Sequence, residues 1–157
     1  MFLAASPITE VEGRALRNSG RYSGDNVLIS IRFADGSEGT ISYLANGDRA
    51  FSKERLEVFG GGAVAVLEDF RRLELVRDGN KQTVHSRWRQ DKGHRGEWTA
   101  FAESVRKGRT APISFEDLVC STLATLRIEE SVATGKRLAI NTAAFIDAAL
   151  QTPSLDE

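Results

Sequence analysis

Between Asp25 and Leu67 the chain reads DNVLISIRFADGSEGTISYLANGDRAFSKERLEVFGGGAVAVL, and the alternation in this stretch limits the fold more than any other feature. Val27, Ile29, Ile31 and Phe33 fall on every second position, with Leu28, Ser30 and Arg32 between them. A strand has a side-chain period of two, so the four apolar residues share one face and the other face is mixed. Asp35-Gly36 supplies turn chemistry that takes positive φ at little cost, and a second alternating run follows from Gly39 to Ala45. The two runs make a hairpin. After Asn46-Gly47-Asp48 a third run covers Arg55 to Phe59, Gly60-Gly61-Gly62 punctuates, and Ala63 to Leu67 continues as a fourth. The simplest arrangement is an antiparallel meander.

The flanks extend it. Ile8 to Leu16 reads as a short strand of poor periodicity, and residues 17 to 24 as a polar loop. Past a break at 68–71, Leu73 and Leu75 alternate, Asp78-Gly79-Asn80 turns, and Val84, Ser86 and Trp88 alternate in the strand that follows. The period then changes. Trp98, Phe101, Ala102 and Val105 recur at spacings of three and four, which predicts a helix from His94 to Lys107 with these residues in the core and Gly108 as its stop. Ser114 can cap a second helix, with Glu116 and Asp117 where the helix dipole favours acids. Its expected buried stripe is Phe115, Leu118, Val119, Thr122, Leu123 and Leu126, and Gly135 ends it. Leu138 and Ile140 form a last short strand. Asn141 then caps a third helix reaching about Gln151, stopped by Pro153.

This order predicts an α+β fold: an open, mostly antiparallel sheet of six or seven strands with two or three helices on one face. At 157 residues the expectation is a single domain, with residues 1–24 a lead-in strand and loop, 25–90 the sheet, and 91–151 the helices and last strand. If Leu28 and Leu44 meet on the uncovered face, a second subunit or partner domain would have to cover them. Composition excludes several classes. A net charge of −1 gives no general drive toward nucleic acid, and no apolar run approaches the ~18 residues of a membrane span. Met1 to Ala5 lacks the basic segment and apolar length of a secretory signal, so a cytoplasmic protein is expected. The single cysteine, Cys120, forms no intrachain disulfide, and with only His85 and His94 beside it a Cys/His zinc site lacks ligands.

Four residues are candidates for ligand contact. Tyr43, Asn46 and Asp48, at the end of a sheet strand, offer a phenol, an amide and a carboxylate suited to sugar or polyol hydroxyls. The competing reading is a core tyrosine followed by a turn-forming Asn-Gly-Asp. His94 stands at a helix start, where the positive dipole end favours neutral imidazole able to accept a proton; a packing role is the alternative. Gly60-Gly61-Gly62 is a hairpin turn rather than a phosphate cradle, because a strand and not a helix follows it. The run of cations between Arg77 and Arg109, Arg87 and Arg89 included, reads as a solvated face, and Cys120 as a small buried hydrophobe.

Taken together, GTISYLANGD, KERLEVFGGGAVAVLEDF, KGHRGEWTAFAESVRKG and PISFEDLVCSTLATLRIEESVATGKRL resemble the carboxy-terminal half of the Gfo/Idh/MocA family, the glucose-fructose oxidoreductase and inositol dehydrogenase family. The likeness runs from about Asp25 to about Ile140. It implies an α/β domain whose open sheet forms part of the substrate site and commonly the oligomer interface, preceded by a dinucleotide-binding Rossmann domain. NAD or NADP is thereby implied for the complete enzyme, and none for this chain alone. The chain departs from the family in three places. It has no strand, Gly-x-Gly-x-x-Gly and helix unit to cradle a pyrophosphate, no Glu-Lys-Pro stretch, and no helix bearing the family's Asp and His, which would precede Phe2. No catalytic residue carries over. The resemblance implies the substrate-binding and assembly half of an NAD(P)-dependent oxidoreductase, completed by a Rossmann domain in cis or in trans. A stand-alone association module, docking or dimerising through its sheet, is the other reading.

Overall fold

The computed structural model describes residues 3–17, 24–86 and 90–151. The loop residues 18–23, the cations and aromatic at Arg87, Trp88 and Arg89, and the expected stop at Pro153 lie outside that set, as do Met1 and Phe2 of the expected non-signal start. The fold is α+β, with eight strands and three helices among the described residues. The strands do not make one sheet. They form two antiparallel sheets of four, in two compact units: Met1–Asn46 with Ile113–Glu157, and Gly47–Pro112. Hairpins are fixed locally by alternation and turn chemistry, but nothing local obliges the strand that ends at Leu44 to pair with the one that starts at Arg55.

In the first unit β1 (Ile8–Ala15), β2 (Asn26–Phe33), β3 (Glu38–Leu44) and β8 (Leu138–Ala139) lie in the order β3-β2-β1-β8, with α2 (Phe115–Thr134) and α3 (Thr142–Gln151). The β2–β3 hairpin closes as expected. Gly36 takes φ 86°, and both the Ser37 N–H and its hydroxyl donate to the Asp35 carboxylate. The strand of poor periodicity, β1, is one of the two inner strands. Val11 is fully buried, and Ile8, Val11, Cys120, Leu123, Ala124 and Ile140 form the core, with Ile31, Phe33 and Ile128 against it.

The close approach of α2 to β1 depends on Gly13. A Cβ there would stand 2.8 Å from Val132 Cγ2 and 3.0 Å from the Ile128 carbonyl oxygen. The Gly13 N–H donates to the buried Ser131 hydroxyl at 2.9 Å, and that hydroxyl donates to the Lys136 carbonyl. The face of α2 that packs is therefore Cys120, Leu123, Ala124, Ile128 and Ser131, small enough to admit the strand. This corrects the expected stripe. Leu123 is buried, but Phe115, Leu118, Thr122 and Leu126 are exposed. Ser114 caps α2 by accepting the Asp117 N–H, as expected.

In the second unit β4 (Arg55–Gly60), β5 (Ala63–Glu68), β6 (Arg72–Arg77) and β7 (Asn80–His85) form a continuous meander, followed by α1 (His94–Arg106). Gly61 and Gly62, at φ 57° and 72°, make the two-residue hairpin between β4 and β5; turns that match strand twist need positive φ at both positions. No described residue of this unit is fully buried. The expectation that Trp98 and Phe101 are core residues is overturned: Trp98 is 71% exposed, and the two rings meet edge to face at 6.4 Å on an open helix. α1 has an amphipathic pattern, and that pattern alone does not say what the stripe packs on.

Candidate functional site

The outer face of the first sheet is polar and ordered. Pairing sets Glu10 opposite Arg32 and Arg32 opposite Glu38, Glu12 opposite Ser30 and Ser30 opposite Thr40, and Arg14 opposite Leu28 and Leu28 opposite Ser42. Arg32 bridges Glu10 at 3.4 Å and Glu38 at 3.0 Å, while Arg137 reaches Glu12 at 3.1 Å and Glu10 at 3.5 Å. Hydrogen bonding to Glu12, with the charge of Glu10, holds the Arg137 guanidinium above the ordinary arginine value. Beside this network a concavity of about 350 Å³ is lined by polar Glu12, Arg14, Ser30, Thr40 and Ser42 and by apolar Leu28 and Ile29. Hydroxyls, one carboxylate and one guanidinium on a rigid sheet can bind a hydroxylated or acidic small molecule. They do not make a nucleophile and base pair, and no three described His, Cys, Asp or Glu side chains come together as a metal site.

The sequence candidates fall in different places. Tyr43 lies on β3 opposite Val27, 64% exposed, with no hydrogen bond to its hydroxyl among the described residues. It is therefore not a core tyrosine. Asn46 is exposed just past the strand, and its N–H donates to Asn26 Oδ1 at 3.3 Å. Asp48 belongs to the second unit, where its carboxylate accepts the Ala50 N–H at 2.8 Å and its carbonyl the Phe51 N–H, a local turn. His94 opens α1 in the same unit, exposed, after Gly93 at φ 82°. Tyr43 and Asn46 thus share one strand end, and Asp48 and His94 are turn and helix-start residues elsewhere.

One positioning residue was not visible in the sequence. Asn26 is fully buried, and its Oδ1 accepts the N–H groups of Ala45 and Asn46, fixing the strand end that carries Tyr43. An Asn directly before an alternating apolar run is its only trace, and such a residue usually signals a turn.

The cations from Arg77 to Arg109 are largely paired where described: Arg77 with Asp78, Lys81 with Glu74, Lys92 with Glu54 and Lys107 with Glu103. Cys120 is buried within α2, as expected. Among the described residues no helix is long and apolar enough to cross a membrane.

No family model matches the chain, and no curated protein does. Solved structures do. An aldose-aldose oxidoreductase from Caulobacter crescentus, complexed with glycerol, matches with a TM-score of 0.71 at 10% identity, over 88% of this chain and 43% of that one. A levoglucosan dehydrogenase in complex with NADH and levoglucosan matches with a TM-score of 0.70 at 17% identity, over 87% and 46%. An Agrobacterium radiobacter oxidoreductase in complex with NAD+, L-tartaric acid and magnesium gives 0.69 at 14% identity, over 88% and 44%. The chain thus has the fold of a part of these oxidoreductases, two of them solved with NAD+ or NADH, and spans less than half of their length.

Proposed function

We propose that this chain is the substrate-binding and oligomerisation half of an NAD(P)-dependent oxidoreductase of the Gfo/Idh/MocA type, acting on a sugar- or polyol-like substrate and inactive alone. The observation that carries the reading is the partial match: almost the whole chain has the fold of under half of several oxidoreductases, among them ones solved with NAD+ or NADH. The sequence supports it from the other side, because the chain lacks a Gly-rich pyrophosphate cradle. NAD or NADP then belongs to the other half, a Rossmann domain in cis or in trans. A cytoplasmic setting accords with the single, buried cysteine. Tyr43 is the leading substrate contact, since its phenol is exposed and uncommitted, with Asn46 beside it; Asp48 and His94 are each proposed separately. The test is direct. The purified 157-residue protein, mixed with NAD or NADP and a panel of polyols, is expected to give no turnover and no dinucleotide binding, and activity would overturn the reading.

A stand-alone sheet-mediated association module is favoured by one specific feature. Leu56, Leu73, Leu75 and Val84 share one face of the second sheet and are all exposed, and an uncovered face of this kind marks an interface. Sedimentation distinguishes the cases. A homo-oligomer accommodates both readings, whereas a strict monomer with no bound partner removes the second and the oligomerisation clause of the first.

A further inference from the structure

We infer that the concavity on the outer face of the first sheet binds a sugar acid, a polyhydroxylated molecule with one carboxylate, through Arg14 and the hydroxyls of Ser30, Thr40 and Ser42. The inference goes beyond the function proposed above. Successive residues of a strand face opposite sides, so Ser42 lines this concavity while Tyr43, opposite Val27, lies on the other face of the sheet. The site is separate from the Tyr43 contact.

Charge on this outer face is neutralised in pairs, with one exception. Arg32 pairs with Glu10 and Glu38, and Arg137 with Glu10 and Glu12. Arg14 is exposed on the same strand as Glu10 and Glu12 and has no ion pair or side-chain hydrogen bond among the described residues. The hydroxyls of Ser30, Thr40 and Ser42 likewise have no hydrogen-bond partner among the described residues. Strand register sets these groups in two rows, Glu12-Ser30-Thr40 and Arg14-Leu28-Ser42. Alternate residues of a strand stand about 7 Å apart and neighbouring strands about 4.8 Å apart, so the rows cover roughly 7 by 10 Å. A six-carbon sugar acid lying flat has that footprint, and the concavity of about 350 Å³ has room for it.

The groups present select the ligand. An unpaired guanidinium fork matches a carboxylate through two parallel hydrogen bonds. The three hydroxyls can each donate and accept, as sugar hydroxyls do. Both Arg137 donors take Glu12 Oε2, which leaves Oε1 to accept from a ligand hydroxyl. The Glu12 charge also opposes a second anionic group, which favours a monocarboxylate over a phosphate ester. Leu28, 40% exposed between Arg14 and Ser42, gives the C–H face of a sugar an apolar floor.

Titration of the 157-residue protein with sodium D-glucuronate, followed by calorimetry and by methyl spectra, tests this. It needs no dinucleotide and no second domain, so its result is independent of the half-enzyme reading. The expected result is saturable binding at millimolar concentration or below, with the Leu28 and Thr40 methyl signals shifting and that of Ile41, on the other face, unmoved. Arg14→Gln, at an exposed position that the fold tolerates, should weaken binding roughly tenfold, the worth of a charge-assisted hydrogen bond. D-Glucose and acetate, each carrying only part of the recognised chemistry, should bind roughly tenfold more weakly than glucuronate. Acetate or inorganic phosphate binding as tightly as glucuronate would reduce the site to a lone cation and overturn the proposal. It also fails if the shifts centre on Ile41, if Arg14→Gln binds glucuronate unchanged, or if millimolar glucuronate does not bind.

Discussion

The two four-stranded sheets are built from the same ingredients and finished differently. Both are antiparallel and apolar on one face, and both carry ion pairs across the other. In the first, α2 covers the apolar face along β1 while Ile41 and Tyr43 of β3 stay exposed, and the charged side, Glu10, Glu12, Arg32, Glu38 and Arg137, points away from the core. In the second, no described residue is buried on either face. Arg55, Glu57, Glu68, Arg72, Glu74 and Lys81 link all four strands on one side, and Leu56, Leu73, Leu75 and Val84 stand exposed on the other. Exposed ion pairs contribute roughly 0–1 kcal/mol each, so the network gives register more than stability. The lesson is that a meander reaches its hairpins alone but needs a second layer for a core.

If the seal is what separates the units, damage beneath it must be costly. Leu123→Ala removes a core side chain under α2 and should destabilise the first unit by about 2–4 kcal/mol in urea unfolding. Gly13→Ala should come next, about 1–3 kcal/mol, because its methyl meets the Ile128 carbonyl and Val132 at distances that neither can readily yield. Asn26→Ala leaves two strand-end N–H groups without their acceptor, at about 1–2 kcal/mol, and should loosen amide protection at Ala45 and Asn46 before it affects β1. Equal losses from all three in the second unit would break the division into units.

The open sheet should answer oppositely. Leu75→Asn, at a side chain 38% exposed, should change monomer stability by less than about 0.5 kcal/mol. Its effect belongs in assembly: a homo-oligomer that uses this face should dissociate at higher protein concentration in the variant. Unchanged sedimentation alongside unchanged stability would mean the face is not an interface.

How much of this was legible depends on how local the cause is. The hairpins at 34–37, 61–62 and 78–79 were readable because alternation and turn residues act over a few positions. So were the caps at Ser114 and Asn141 and the change to helical period. The partition into two sheets was not, since it turns on whether strands separated by residues 45–54 pair. β1 looked weak because Glu10, Glu12 and Gly13 dilute its pattern, yet Gly13 is what lets a helix reach it. The α2 stripe was misread for the related reason that large apolar residues dominate a periodicity, whereas close packing here selects Cys120, Ala124 and Ser131. The strand end that carries Tyr43 was legible as a strand followed by a turn, and Asn26, which holds it, was not.

Acid provides the finest test of the comparison. Hydrogen bonding to Lys81 keeps the Glu74 carboxyl below its ordinary value of 4.5, and Lys92 does the same for Glu54, both in the second unit. In the first unit Asp35 is held below 3.8 by the Ser37 N–H. A carboxylate with a depressed folded-state value adds stability that is fully present above its unfolded value and is lost as pH falls through the folded one. The second unit should therefore begin to loosen from about pH 4.5 downward, before the first, by a small amount because these groups are solvated. Backbone amide spectra followed from pH 6 to pH 3 should show Val66 and Leu75 responding ahead of Val11 and Ile31. Lys81→Met with Lys92→Met should remove the lead, and simultaneous loosening in the unaltered protein would show that the two sheets titrate as one body.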